Sequence, residues 1–301
     1  MSGPARHALE AIVVAEMAAA VPEEVARVAE AARQRHGAGT AAILYYGSCR
    51  REGYRPGALV DLYLLVDGYA TVHASRLMRC LNWLIPPNVY FIEAMAADGT
   101  PVRAKYALLS LLQAERLTSV ATLNPYFWAR FAQPTGLVWA RDATVAQRVA
   151  TILVQSILTT AGATRPLLAG DADAASLWTR ALAESYRTEL RAEPPGRAPA
   201  IVTADLERYR RVTAALAELP PADPAWRARL VWWWRRIQGK GLSLARLAKA
   251  SFTFAGGADY LAWKIGRHAG VPVEFSPWER RHPLLAAPRV LWRLVRRGAV
   301  R

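Results

Sequence analysis

The chain has 301 residues, 53% of them hydrophobic, and a formal net charge of +15, which provides for one large core or two modest ones and excludes an intrinsically disordered protein. Two cysteines, Cys49 and Cys80, and five scattered histidines exclude a disulfide framework and a structural zinc site and fit a reducing compartment. No run of about 18 apolar residues is present, so no membrane-spanning helix is expected, and Glu10 and Glu16 argue against a secretory or organellar presequence.

Residues 5–36 read as one or two helices, with Val21-Pro22-Glu23-Glu24 as a helix start. From about 40 to 112 apolar runs centred near 43, 62 and 90 alternate with a helix expected at 72–84, and Arg103 to Leu108 reads as a fourth strand, a small α/β unit. After Leu117 the pattern is helical almost throughout, including Thr144 to Thr160 and Ala174 to Ala192, with proline-rich breaks at 193–196 and 219–224.

The first apolar run ends in Tyr46-Gly47-Ser48-Cys49-Arg50-Arg51, and thirteen residues after Ser48 the next run carries Asp61. A glycine at a strand end lets backbone N–H groups approach a nucleotide's phosphates, and a serine hydroxyl adds a donor. A carboxylate on the adjoining strand suits Mg²⁺, which takes hard oxygen ligands and is commonly shared between one or two acidic side chains and substrate phosphates. Turn chemistry alone also produces Gly-Ser and Asp at strand ends. Two positions after Asp61, where a second acid is usual in polymerase-β-like active sites, stands Tyr63, and Asp67 lies roughly 20 Å along an extended strand. Glu93, on the next apolar run, is the expected second metal ligand, because adjacent strands lie ~4.8 Å apart. Tyr63, Asp67 and Cys49 read as structural, and His73 as a capping or loop residue or a substrate contact.

Charge is uneven. Residues 226–301 hold 16 Lys or Arg against three acids, and seven of the eleven tryptophans. Tryptophan beside arginine suits a bilayer interface, where indole sits among headgroups and guanidinium meets lipid phosphate; packing within a helical domain and nucleic-acid binding are the competing explanations. Trp232, Trp233, Trp234, Arg235 and Arg236 are therefore expected to face a membrane. So are Trp292, Arg293, Arg296 and Arg297 of a tail that reads as an amphipathic helix over 288–297.

In order along the chain, Tyr46-Gly47-Ser48, Asp61 with a hydrophobic residue two positions on, His73, Val89-Tyr90-Phe91, Lys105-Tyr106, Trp128 to Pro134, Ser185-Tyr186 with Glu189 and Arg191, and Lys249 to Lys264 resemble the mitochondrial-type phosphatidate cytidylyltransferases, peripheral CDP-diacylglycerol synthases of the polymerase-β-like superfamily. The likeness spans about residues 40 to 267. The chain departs from it at Cys49-Arg50-Arg51, where the family has Gly-Val-Phe, at Arg76 in place of Asn, at Glu189 in place of Asp, and at Glu93, whose counterpart is not a carboxylate.

The resemblance implies an α+β architecture: a polymerase-β-like nucleotidyltransferase α/β domain with N-terminal helices over 1–115, then a mainly helical domain over 116–301 whose basic, Trp-rich end (about 226–301) faces a membrane. It implies an enzyme that uses CTP and Mg²⁺ to convert phosphatidate to CDP-diacylglycerol with release of pyrophosphate on an anionic membrane surface, without nucleic acid as partner; the expected setting, the cytoplasmic face of a bacterial membrane, follows from the absent targeting signals. Asp61 would hold the metal and Glu189 would complete its shell; Glu93 is the second ligand expected from strand spacing and not from the resemblance. Tyr46, Gly47, Ser48 and Arg50 would hold the nucleotide, and Lys105, Arg130 and Arg191 would clamp phosphates. A nucleotidyltransferase with another acceptor (RNA, protein or small molecule) and a catalytically inactive membrane adaptor remain open.

Overall fold

A computed structural model describes residues 3–168, 173–190, 196–217, 224–253 and 276–281. Its centre is an open, mixed sheet of five strands, β1 (Thr40–Tyr46), β2 (Leu59–Val66), β3 (Asn88–Met95), β4 (Pro101–Ser110) and β5 (Gly136–Ala140), in the order β3-β4-β2-β1-β5. β2 and β4 run parallel and every other neighbour pair is antiparallel. Both faces of β1, β2 and β4 are covered, which is why these strands read as near-continuous apolar runs and not as alternating ones.

Two N-terminal helices, α1 (Gly3–Met17) and α2 (Glu23–His36), precede the sheet, and α3 (Ser48–Glu52), α4 (Arg76–Leu84), α5 (Leu111–Thr118) and α6 (Trp128–Phe131) fall between its strands. After β5 come α7 (Ala143–Thr164), α8 (Ala174–Tyr186), α9 (Arg197–Ala204), α10 (Leu206–Ala215) and α11 (Ala225–Thr253), then a short α12 (Pro277–Arg281). Starts are set by capping side chains: Ser75 accepts from the Met78 N–H, Ser110 from Gln113, Asp142 from Val145 and Asp173 from Ser176. The tail over 288–297 lies outside the described residues.

Side-chain alternation divides the sheet into two buried faces. Ile43, Tyr45, Leu62, Leu64, Tyr106 and Leu108 pack with Val25, Val28 and Ala32 of α2. Leu44, Tyr63, Leu65, Ala107 and Leu109 pack with α1, α5 and α7, and the same apolar cluster continues through Trp178 of α8 and Tyr209 of α10. The helices after β5 therefore share a core with the sheet.

Two sequence expectations are corrected. The stretch after Leu117, read as helical almost throughout, contains an unexpected strand, β5, which pairs with β1 at one edge of the sheet; five residues are too few to show a period, and the partner strand is remote in sequence. The sheet accordingly extends beyond residue 115. The helix expected through Ala192 ends at Tyr186.

α11 lies across this body. Its Trp232 is 1% exposed, rests edge-on against Trp128 and donates to the Ala163 carbonyl. Gly239 approaches so closely that a Cβ there would stand 2.5 Å from the Thr188 carbonyl oxygen, so a glycine is what admits the helix. Arg236 pairs at 2.6 Å with Glu184, a fully buried carboxylate that also meets Arg180 and Arg187. Toward its C-terminal half Arg246 donates to the Pro86 carbonyl at 2.8 Å, and Lys249 donates to the carbonyls of Ile85 and Pro87.

Candidate functional site

Strand register brings the first group of residues together. Tyr46 on β1 faces Asp61 on β2, and Asp61 faces Lys105 on β4, so the three stand side by side on one face of adjacent strands. The Lys105 ammonium lies 2.9 Å from Asp61 Oδ1, with both side chains partly exposed to solvent. The carboxylate and ammonium that sequence reading set apart as metal ligand and phosphate clamp form one ion pair.

Gly47 follows immediately, with φ 84° and ψ −157°, a conformation essentially confined to glycine. A Cβ at this position would stand 2.9 Å from Asp61 Oδ2. The glycine serves twice, turning the chain out of β1 and letting the backbone rest on the carboxylate. Ser48 then opens α3, whose first turn closes through the Arg51 N–H to the Gly47 carbonyl at 3.2 Å. Cys49 is buried, donates to the Leu59 carbonyl, and is pushed by burial up to about 11, as befits a structural thiol. An open cleft of about 290 Å³ adjoins Ser48, bounded by Glu52, Arg55 and Ala58.

Arg50 packs against Gly136 at the start of β5, and its Nε is buried without a hydrogen-bond partner among the described residues. Asp205, at the start of α10, has its pKa raised by burial, an effect that the charges of Arg51, Arg208 and Arg50 lessen without cancelling.

A second group adjoins the first through the tyrosines. Tyr63 points from the same strand face as Asp61, its ring 5.0 Å from that of Tyr46. Its hydroxyl accepts from Arg130 at 3.4 Å, and the same guanidinium pairs with Glu189 at 3.3 Å. Arg130 and Glu189 are thus brought together near Tyr63, whose hydroxyl links β2 to this pair. Arg246, which sequence reading missed, joins them: its guanidinium lies 3.9 Å from the centre of the Tyr126 ring, and that of Arg130 lies 4.3 Å from it. Among many arginines in a basic helix, nothing in the sequence singles out Arg246.

Glu93 does not partner Asp61. β4 intervenes between β3 and β2, and Glu93 stands opposite Arg103, to which it is salt-bridged at 2.6 Å. The expectation took β3 for the neighbour of β2, whereas the chain inserts β4 between them. Asp67 is paired at 2.6 Å with Arg141, in keeping with its structural reading. His73 is buried, stacks on Tyr69 and lies 3.5 Å from the Asn88 amide, before the Ser75 cap and not at the helix start itself. Arg191 lies outside the described residues.

Of the residues expected to face a membrane, Trp232 and Arg235 are instead interior: Arg235 is 8% exposed, donates to the Leu123 carbonyl and stacks over Trp128 and Trp232. Arg236 is engaged by Glu184. Trp233 and Trp234 are half exposed, on a helix that also exposes Trp226, Leu230, Ile237, Leu244 and Leu247. Trp292, Arg293, Arg296 and Arg297 lie outside the described residues. No helix among the described residues is long and apolar enough to cross a membrane.

For a divalent cation the donor set at Asp61 is sparse. No group of three or more His, Cys, Asp or Glu side chains suited to a metal occurs among the described residues. One carboxylate beside a glycine turn fits the minimum Mg²⁺ asks of a protein when substrate phosphates supply the remaining oxygens. No family model matches the chain, and no curated protein matches it.

Proposed function

We propose that the chain is a CTP:phosphatidate cytidylyltransferase, peripheral on an anionic membrane surface, that forms CDP-diacylglycerol and pyrophosphate on a polymerase-β-like nucleotidyltransferase scaffold. The observation that carries the reading is the backbone of Gly47 resting on the Asp61 carboxylate with Lys105 2.9 Å from it. That arrangement suits a triphosphate: Gly47 and Ser48 offer backbone and hydroxyl donors, and Lys105 offers a positive charge at the same strand end. Asp61 would hold Mg²⁺, which when bound neutralises phosphate charge and orients the α-phosphorus. The acceptor's phosphomonoester, ionised near pH 7, needs no strong general base, so the work left to the protein is alignment and neutralisation. The exposed indoles of α11 and the positive charge support docking at an anionic bilayer.

The test is incorporation of label from CTP into organic-extractable product by purified protein with phosphatidate vesicles and Mg²⁺. We expect Asp61→Ala to lower turnover by at least about 100-fold, on the scale of losing a group that stabilises transition-state charge. Full activity in that variant overturns the metal assignment. Turnover of CTP with RNA, protein or a small molecule but not with phosphatidate would replace the acceptor.

Tyr63 in the position of a second acid, and the ammonium already on Asp61, favour a second reading, a catalytically inactive membrane adaptor. Thermal shift with Mg²⁺ and CTP separates the two. An adaptor shows none, whereas a ligand at 100 times its Kd stabilises by about 2.7 kcal/mol.

A further inference from the structure

Two guanidinium groups share one aromatic ring beside the sheet. Arg130 and Arg246 both lie against Tyr126, at 4.3 and 3.9 Å from its centre, and the carboxylate bonded to this pair is Glu189, which meets Arg130 alone. Arg246 gives its Nε–H to the Pro86 carbonyl, and its two terminal amino groups donate to nothing among the described residues. Burial, and repulsion from Arg130 among the smaller causes, lower the Arg246 pKa. The hydroxyls of Tyr46 and Tyr126 also make no hydrogen bond among the described residues. A half-buried pair of like charges with one counter-carboxylate and unused donors is costly unless an anion completes it.

We propose that Arg130 and Arg246, with the hydroxyls of Tyr46 and Tyr126, bind a phosphate-monoester dianion, the phosphate of the acceptor in the reaction proposed above, on whose assignment to this chain the word acceptor rests. Guanidinium is the side chain that meets phosphate oxygens in a bidentate fork. With Glu189 the pair keeps a surplus of one positive charge, so the site calls for an anion, and the unused donors of Arg246, Tyr46 and Tyr126 match the three terminal oxygens of a phosphate monoester better than the two of a carboxylate or phosphodiester. Position argues for the acceptor over the nucleotide: Tyr46 connects this cluster to Asp61 from the Tyr63 side, whereas Gly47 and Ser48 lie beyond Asp61 on the chain leaving β1. Arg246 is flanked on α11 by Leu244 and Leu247, which are 60% and 66% exposed. A guanidinium directed inward between leucines directed outward suits a phosphate carried on acyl chains.

The experiment is calorimetric titration of dihexanoyl phosphatidate, dihexanoyl phosphatidylcholine and glycerol 3-phosphate into the full chain and Arg246→Gln, with Mg²⁺ and CTP titrated separately. Glutamine keeps a donor for the Pro86 carbonyl and removes the charge; Arg246→Lys keeps the charge without the fork, and serves where the glutamine variant fails to fold. We expect the wild type to bind phosphatidate and not phosphatidylcholine. Arg246→Gln should weaken phosphatidate by roughly 10- to 100-fold and Arg246→Lys by less, the range of a lost charge-assisted hydrogen bond, while CTP binding holds. Glycerol 3-phosphate binding as tightly as phosphatidate supports the site and assigns it a soluble monoester. Wild-type phosphatidate affinity in the folded variants, or no monoester binding by the wild type, overturns the site. Monoester binding that depends on Arg246 in a protein that binds no CTP leaves the site standing and removes the cytidylyl-transfer reading. CTP binding with monoester affinity indifferent to Arg246 does the reverse.

Discussion

Gly47 is where one residue decides the most. Its φ of 84° excludes comfortable accommodation of a side chain, and a Cβ would press on Asp61 Oδ2 at 2.9 Å. Gly47→Ala should therefore cost about 1–3 kcal/mol in stability, measured by urea denaturation. It should also lower nucleotide affinity beyond what the stability loss explains, because the carboxylate and Lys105 must shift together. A variant with wild-type CTP binding would show that the turn is structural only. The Gly-Ser pair and Asp61 were legible because glycine at a strand end and acid on the next strand are local signals. The ion pair with Lys105 was not legible as such, since it depends on β4 lying beside β2.

At the scale of elements, α11 shows how a helix that reads simply as basic and aromatic is sorted by docking. Its inner side carries Trp232, Arg235, Gly239, Arg246 and Lys249, each with a specific partner on the body. Lys249 is held chiefly by burial, and secondarily by Arg246, at a pKa of about 7, well below the 10.5 of a free lysine. Between about pH 7 and 10.5 the unfolded chain therefore keeps a proton that the folded chain releases, so this residue makes stability rise with pH across that window and contributes no slope below it. Urea denaturation from pH 7 to 9.5 should show that rise in the wild type and a flatter curve in Lys249→Met. Equal slopes would refute the depressed pKa. The hydrophobic pattern of the sequence carried no sign of this, because the peptide carbonyls that receive Lys249 come from the remote 85–87 segment.

Among the described residues, apolar side chains are divided between the cores on the two faces of the sheet and an exposed set concentrated on α11, with Trp83, Leu84 and Leu112 on α4 and α5. The division separates two kinds of tryptophan that sequence reading placed together. Trp232→Ala removes a side chain packed on Trp128 and should cost about 3–5 kcal/mol. Trp233→Ala with Trp234→Ala should leave the melting temperature within a few degrees while weakening sedimentation with anionic vesicles. If the double variant sediments as the wild type does, α11 is not the docking surface. If Trp232→Ala is neutral for stability, the packing of α11 on the body is wrong.

The sequence by itself determined the local elements: four strands of the α/β unit, the start of α2 at Glu23, the glycine turn and the uneven charge, because propensity and period act over a few residues. Only the tertiary structure decided which acids and bases meet. β4 inserted beside β2 gives Asp61 its lysine and removes Glu93 to Arg103; β5 joins the sheet from within a helical stretch; and α11 returns across the chain to bring Arg246 to Arg130 and to turn Trp232 inward while Trp233 and Trp234 stay out. Strand order and helix docking are fixed by burial of surfaces far apart in sequence, which no local pattern encodes.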